Sequence, residues 1–309
     1  MLHSSNPSHY IASSIISLSL LLCSAGAAAQ AIPVTQSSGV ITQDDTGPAG
    51  IVPAVRGFNA SLITATQHDS GNGWSYILTP GIAWRFNPTL SVNASAPVYA
   101  YINVVQNIGT KTNPVYVQQA KHGVPGDTAL SGIFELHPEL LSYSATFTVG
   151  LPSGNTADGL GAGHVGYNVN NHFEKDLGVF TPNVEAGIAN SSSLIPTRAH
   201  KSYTSAGTLA HFQAGASIDL PHNISLEADA YEEMPVSAST IYSNKKKVTT
   251  TATTDTAEDN GLTTSLDIPL TPHITLSGFY THSIRGQYDV GGFSLTFLLK
   301  APPHHEGTF

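Results

Sequence analysis

The chain has 309 residues, of which 11% are charged and 40% hydrophobic, and its formal net charge is −9. This balance excludes a nucleic-acid partner, because the one basic run, Lys245-Lys246-Lys247, is best interpreted as a solvated loop. The single cysteine, Cys23, lies in a segment that we expect to be removed. The mature chain would then have no thiol for a disulfide, a cysteine-ligated metal or a nucleophile.

Residues 1–29 have the pattern of a secretory signal peptide, although no Lys or Arg precedes the apolar run. That run, Ile11 to Leu22, is followed by Ala27-Ala28-Ala29, a cleavage site that would leave Gln30 first in the mature chain. Residues 30–54 are rich in Pro and Gly and show no sustained period. We expect them to form an extended periplasmic lead-in segment or a partial plug.

The stretch 140–151, Leu-Leu-Ser-Tyr-Ser-Ala-Thr-Phe-Thr-Val-Gly-Leu, alternates apolar and small polar residues. A period of two is typical of a strand with one apolar and one polar face. An ordinary globular strand has about 5–6 residues, whereas a tilted strand that crosses a bilayer needs about 9–11. The length of this run therefore favours a membrane barrel.

The same alternation recurs along the chain and predicts about twelve strands. The predicted strands are 55–68, 74–86, 89–101, 127–136, 140–151, 161–172, 180–190, 204–219, 224–236, 259–270, 274–285 and 289–300. Short turns rich in Pro, Asn, His and Gly follow every second strand, and the longer connections 102–126, 191–203 and 237–258 are interpreted as mobile loops. Tight turns at one end and long loops at the other are typical of bacterial outer-membrane barrels.

The sequence thus predicts an all-β fold, a transmembrane antiparallel β-barrel of about 12 strands within residues 55–300. Ala301-Pro302-Pro303 ends the last strand, so residues 301–309 are expected to form a C-terminal tail. Aromatic residues beside the tight turns would form an interfacial girdle: Phe86, Phe134, Phe173 and Phe180. The alternative is a soluble β-sandwich, which does not explain why the tight turns lie at one end only.

Gly126-Asp127 lies at a predicted strand start, and Leu151-Pro152-Ser153-Gly154 ends the next strand, followed by the Gly-rich loop 158–163. These two short motifs resemble the family called putative MetA-pathway of phenol degradation. Ser153 stands where that family usually has Thr. The resemblance covers mainly residues 120–190 and implies an outer-membrane channel, often linked to hydrophobic or aromatic compounds. It supports the architecture more than the substrate.

The string His68-Asp69-Ser70-Gly71-Asn72-Gly73 is similar to the His-x-Ser and Asn-Gly pattern of outer-membrane phospholipases. Because His and Ser two residues apart share a strand face, a Ser–His relay is sterically conceivable. The string also supplies the Gly and Asn that a tight hairpin requires. We prefer the hairpin and assign no catalytic residue.

The 14 histidines are scattered singly except for His304-His305, and none has ligand spacing to another His or a carboxylate on a shared strand face. The Gly-rich segment 159–163 precedes a strand and not a helix, which argues against a phosphate loop. We therefore predict no metal and no cofactor.

Charged residues on the polar face of the predicted strands are expected to line the lumen. The acids are Glu135, Glu185, Asp219, Glu227, Asp229 and Asp267, and the bases are Arg85, Arg285, His211 and Lys300. An excess of acids favours cations or neutral solutes over anions. The alternative is that these side chains pair across strands and fill the narrow lumen.

These patterns predict a non-enzymatic channel in a Gram-negative-type outer membrane for passive uptake of small solutes, with aromatic or hydrophobic compounds as candidates. The alternatives are a non-conducting structural or adhesive barrel and a lipid-hydrolysing barrel enzyme. The expected partners are outer-membrane lipid, the barrel-assembly machinery and a small-molecule solute, with no nucleic acid.

Overall fold

A computed structural model describes residues 56–70, 73–107, 115–137, 141–155, 158, 160–161, 165–189, 203–205, 208–236, 240–241 and 259–300. The signal peptide predicted at 1–29, the segment 30–54, the lysine run 245–247 and the tail 301–309 lie outside these residues. No helix within the described ranges is long and apolar enough to cross a membrane.

The described chain is built from strands, with a single 3-10 turn at Pro221–Asn223. The strands are β1 Gly57–Asp69, β2 Gly73–Asn87, β3 Leu90–Ser95, β4 Val98–Asn107, β5 Tyr116–Lys121, β6 Val124–Pro125, β7 Thr128–Leu136, β8 Ser142–Leu151, β9 Gly166–Glu174, β10 Phe180–Ala189, β11 Tyr203–Ser205, β12 Leu209–Leu220, β13 Ile224–Pro235, β14 Thr240–Ile241, β15 Asp259–Thr271, β16 Ile274–Ser283 and β17 Tyr288–Leu298.

These segments close into one antiparallel barrel of twelve strands, so the predicted fold class is confirmed. β3 and β4 form one barrel strand interrupted at Ala96-Pro97, and β5, β6 and β7 form the next. β1 pairs with both β2 and β17, with Ser61 opposite Leu298. Closure matters because it leaves no unpaired edge in the barrel. β11 and β14 pair with each other in a separate two-stranded sheet.

The two faces of the barrel wall differ as the alternation predicts. On β15, Leu262 and Leu266 are exposed on the outer face, whereas Thr263 and Ser265 between them are buried on the inner face. Large apolar side chains are exposed on the outer face of other strands as well, among them Ile82 and Phe147. The four phenylalanines expected at the girdle are exposed in the same way: Phe86, Phe134, Phe173 and Phe180.

The short connections fall where the sequence predicts them, but one predicted loop is wrong. Residues 102–126 contain the end of β4, all of β5 and all of β6, with Ile102 opposite Lys121 in the β4–β5 pair. The Gly, Thr and Pro residues of 109–114 suggested a loop. The β-formers on both sides, Val104-Val105 and Tyr116-Val117, extend the strands instead.

Candidate functional site in the barrel interior

The two motifs of the family resemblance come together in space and form what we call the clasp, residues 125–128 with 152–155. Oδ1 of Asp127 accepts a hydrogen bond from the backbone N–H of Gly154 at 2.7 Å. Oγ of Ser153 accepts one from the N–H of Thr128 at 2.9 Å. Pro152 lies at the centre of a tight turn in which the Ser153 N–H donates to the Leu151 carbonyl at 2.7 Å.

Two clasp positions leave no room for a Cβ atom, Gly154 because backbone approaches closely and Gly126 because the Pro97 ring does. A Cβ on Gly154 would lie 2.3 Å from the carbonyl oxygen of Leu160 and 2.8 Å from the nitrogen of Asp127. A Cβ on Gly126 would lie 2.9 Å from Cγ of Pro97. The motif glycines are therefore explained by packing.

The clasp directs the segment after β8 into the barrel. Asp158 receives a hydrogen bond from Nδ2 of Asn155 at 2.8 Å and lies 3.4 Å from Nζ of Lys121. Leu160 is only 4% exposed and packs in an apolar cluster with inward residues of β1, β2, β4 and β6. The members of this cluster are Ala65, Ile77, Tyr99, Ile102, Val104, Val124 and Leu160. Leu160 thus occupies one side of the interior near the long-loop end.

The other side of the interior, along β9 to β15, is polar. Glu185 is 4% exposed and lies between two imidazoles, with His172 Nδ1 at 3.3 Å from Oε2 and His211 Nε2 at 3.4 Å from Oε1. Nε2 of His211 is also 2.9 Å from Oδ1 of Asn170. The amide of Asn183 donates to Oε1 of Glu227 at 2.8 Å.

Two further predicted lumen acids belong to the same side of the barrel. Asp267 accepts a hydrogen bond from the hydroxyl of Ser277. Asp229 is 3% exposed and folds over Gly215 on the neighbouring strand, where a Cβ would be 2.1 Å from Oδ1. Both carboxylate oxygens of Asp229 are buried, and the side-chain amides of Asn183 and Gln213 face the carboxylate as hydrogen-bond donors.

Arg85 and Glu135 form an ion pair away from that acidic group. Nη2 of Arg85 lies 2.7 Å from Oε2 of Glu135 and also donates to the Pro88 carbonyl at 2.6 Å. The pair therefore links β2 to β7 at the short-turn end of the barrel. Four of the predicted lumen acids, Glu185, Glu227, Asp229 and Asp267, lie along β10 to β15, whereas Arg85 and Glu135 neutralise each other elsewhere.

Three other residues of the predicted lumen set are exposed at the ends of the barrel. Arg285 lies in the exposed turn between β16 and β17 and not in a strand, because the chain reverses after Ser283. Asp219 and Lys300 are inward by parity but exposed at the short-turn end. The alternation of residues predicts which face of the barrel wall a side chain lies on, but not how far along the barrel axis it lies.

Two features of the interior were not predicted from the sequence: the inward residues of β9, and a group of tyrosine and serine hydroxyls around Asp259. Asn170 and His172 lie on the inward parity of an Asn-rich strand, which was the available signal. Asp259 accepts hydrogen bonds from the hydroxyls of Tyr231 at 3.2 Å, Ser283 at 2.5 Å and Tyr288 at 2.8 Å. Only pairing across β13, β15, β16 and β17 brings these groups together.

The lipase-like string forms a hairpin between β1 and β2, in which Asp69 pairs with Gly73. The ring of His68 makes an edge contact with Trp74 at 5.0 Å, and Oγ of Ser70 accepts the backbone N–H of Asp289 at 3.1 Å. Gly71 and Asn72 lie outside the described residues. Within the described residues, no group of three or more His, Cys, Asp or Glu is arranged to hold a metal.

Comparison with known proteins adds one informative likeness. No protein-family model matches the sequence, and no curated protein matches it. Among solved structures, the chain is similar to an outer membrane channel from Pseudomonas putida F1, with a TM-score of 0.57 and 12% identity over 82% of this chain and 100% of that chain. The two chains share the barrel fold.

The chain also has two weaker similarities to solved structures, both with a TM-score under 0.5. One is to the KdgM porin in complex with disordered oligogalacturonate, with a TM-score of 0.46 and 7% identity over 77% of this chain and 98% of that one. The other is to the CymD monoaromatic hydrocarbon channel, with a TM-score of 0.39 and 9% identity over 81% and 90%.

Proposed function

We propose that this protein is an outer-membrane channel for the passive passage of small solutes and that it favours cations and neutral solutes over anions. One observation carries the proposal. Among the described residues, no Lys or Arg forms an ion pair with Glu185, Glu227, Asp229 or Asp267. The interior bases Arg85 and Lys121 are engaged by Glu135 and Asp158 instead.

Carboxylates that lie along a narrow lumen without a Lys or Arg partner attract cations. The low-dielectric wall concentrates their field, which raises the local cation concentration and lowers that of anions. His172 and His211 offset part of this charge only when they are protonated, and both are close to Glu185. The electrostatic preference is therefore for cations when the imidazoles are neutral.

The clasp-held segment determines which wall a solute follows. Leu160 and its apolar cluster fill the side formed by β1, β2, β4 and β6 near the long-loop end. The path left for a solute runs along the polar side formed by β9 to β15. This arrangement favours hydrophilic solutes over the purely hydrophobic compounds that the family resemblance suggests.

The location of the barrel in the outer membrane is part of the same proposal. A closed barrel with large apolar side chains exposed around its outer face is suited to hydrocarbon, since its backbone groups pair internally. Export by residues 1–29, insertion by the barrel-assembly machinery and kinship with the MetA-pathway family are parts of the proposal. The kinship is supported by the clasp, which uses Gly126, Asp127, Pro152 and Gly154.

Single-channel recording of the refolded protein in a planar bilayer tests this function. We expect discrete conductance steps and, under a potassium chloride gradient, a reversal potential of the sign given by cation preference. A folded, inserted barrel that never conducts would contradict the proposal and favour a structural barrel. Conductance with anion preference would contradict the role of the acids but leave the channel function standing.

A further inference from the structure

We propose that four glycines on the inner face of β10 to β17 determine the size limit of this channel, because each lets an inward side chain of the neighbouring strand lie flat against the wall. The inference rests on the channel function proposed above and names the residues that determine the width of the solute path. The glycines are Gly187, Gly215, Gly261 and Gly292. We call each glycine, together with the side chain that covers it, a socket.

Each glycine lies directly opposite its covering residue in an antiparallel strand pair. The pairs are Gly187 with His211, Gly215 with Asp229, Gly261 with Tyr231 and Gly292 with Phe279. Opposite residues share a face of the sheet, with Cβ atoms about 4.5–5.5 Å apart. A side chain at the glycine position would therefore compete with the covering side chain for the same place on the inner wall.

The two aromatic sockets show how closely the covering ring approaches. A Cβ on Gly261 would lie 2.8 Å from the Tyr231 hydroxyl oxygen and 2.9 Å from its Cε1. A Cβ on Gly292 would lie 2.9 Å from Cε1 of Phe279. These distances are shorter than van der Waals contact, so each ring lies over the glycine of the next strand. The rings thus extend along the wall and do not project towards the centre of the lumen.

The two smaller sockets have the same arrangement. A Cβ on Gly187 would lie 2.8 Å from Nε2 of His211, and a Cβ on Gly215 would lie 2.6 Å from Cγ of Asp229. His211 is 8% exposed and Asp229 is 3% exposed. Both side chains are turned into the wall and take little of the cross-section of the lumen.

Hydrogen bonds hold two of the covering side chains in this position. Nε2 of His211 is 2.9 Å from Oδ1 of Asn170 on β9. The Tyr231 hydroxyl donates to Oδ2 of Asp259 on β15 at 3.2 Å. Both partners belong to the same side of the barrel, so these bonds run along the wall and not across the lumen.

The sockets affect the solute path because the facing side of the interior is occupied. Leu160 and its apolar cluster lie on the side formed by β1, β2, β4 and β6. Three of the four sockets lie on β10 to β15, across the barrel from that cluster. A barrel of twelve strands encloses a narrow interior. The width left for a solute is therefore determined by how flat the side chains on the socket side lie.

The test is a double-mutant cycle on single-channel conductance in a planar bilayer, with Gly261→Ala, Tyr231→Ala and their combination. Gly261→Ala should displace the ring into the solute path and lower the conductance about twofold, since a ring takes a large share of a narrow lumen. Adding Tyr231→Ala to this variant should restore the conductance. Tyr231→Ala alone should have a much smaller effect. Polyethylene glycols of graded size should be excluded at a smaller size by Gly261→Ala than by the wild type.

Gly132→Ala is the matched control. Gly132 lies opposite the outward residues Val92 and Phe147, and no atom lies within 4 Å of a Cβ at this position. Its conductance and polymer exclusion should equal those of the wild type. A decrease as large as that of Gly261→Ala would show that the effect does not come from the socket.

The remaining outcomes also decide the proposal. A clear gain in conductance for Tyr231→Ala alone, or a Gly261→Ala channel that Tyr231→Ala does not restore, would overturn it while leaving the channel function standing. A Cβ on Gly261 would also meet the His282 carbonyl oxygen, so if Gly261→Ala does not fold, Gly292→Ala with Phe279→Ala takes its place.

If neither glycine variant folds, Tyr231→Ala and Phe279→Ala alone decide. Unchanged conductance supports rings that lie flat, and a clear gain contradicts them. A wild type that does not conduct would overturn the channel function and this inference with it.

Discussion

Oδ1 of Asp127 accepts a hydrogen bond from the backbone N–H of Gly154 at 2.7 Å, which joins two motifs 27 residues apart in sequence. This contact fixes where the chain leaves β8 and turns into the barrel. Leu160 then packs in the apolar cluster, on the opposite side of the interior from the inward acids of β10 to β15. The clasp, formed by the two sequence motifs, therefore determines where Leu160 lies inside the barrel.

Replacing Asp127 should loosen the clasp. Asp127→Ala removes the acceptor of the Gly154 N–H, and loss of a hydrogen bond to a charged group costs about 1.5–3 kcal/mol. We expect a lower free energy of unfolding in urea and a noisier or larger single-channel conductance. Asp127→Asn keeps an acceptor oxygen and is the matched control, and equal effects of the two changes would argue against the hydrogen bond as the cause.

Gly154→Ala should be more harmful than a glycine replacement elsewhere in the wall. The added Cβ would meet Leu160 and Asp127 backbone atoms at 2.3 and 2.8 Å, whereas at Gly132 no atom lies within 4 Å. Overpacking of this kind costs about 1–3 kcal/mol. Urea unfolding of Gly154→Ala and Gly132→Ala measures the difference, and equal stability would show that the segment 152–161 adapts easily.

The strands could be predicted because their information is local. Alternation along β13 places Leu226 outside and Glu227 inside without knowledge of any partner strand. The clasp and the Glu185–His172–His211 group could not be predicted, since they depend on which strands become neighbours and on their register. The alternation of residues placed Arg285 in the lumen for a related reason. It was extended past Ser283, where the chain forms a turn.

A charge on the outer face should obstruct insertion, whereas the same charge inside should not. Leu226 is 42% exposed on the outer face, and Lys on the lipid face near the midplane costs about 2–4 kcal/mol. Ser225, the next residue, is inward and pairs across the sheet with Asp219 and Asp267. We expect Leu226→Lys to lower the folding yield in lipid vesicles and Ser225→Lys to be tolerated. The reverse order would invert the assigned faces.

The Arg85–Glu135 pair should behave as a coupled unit. Arg85→Gln leaves Glu135 without its partner at 2.7 Å, in a site where the two side chains are 13% and 15% exposed. Removing one member should cost more than removing both, because the lone charge remains poorly solvated. Unfolding of Arg85→Gln, Glu135→Gln and the double variant measures the coupling, and strictly additive effects would contradict it.

The central claim is that the inward acids set the ion preference, and the reversal potential under a potassium chloride gradient tests it most directly. The double variant Glu227→Gln and Asp229→Asn keeps the side-chain shapes and an acceptor for the Asn183 amide, which now donates to Oε1 of Glu227. We predict cation preference in the wild type, fading as salt shortens the screening length from about 10 Å at 0.1 M, and a clear loss of preference in the double variant with folding intact. An anion-preferring wild type, or an unchanged reversal potential in a conducting double variant, would contradict the claim.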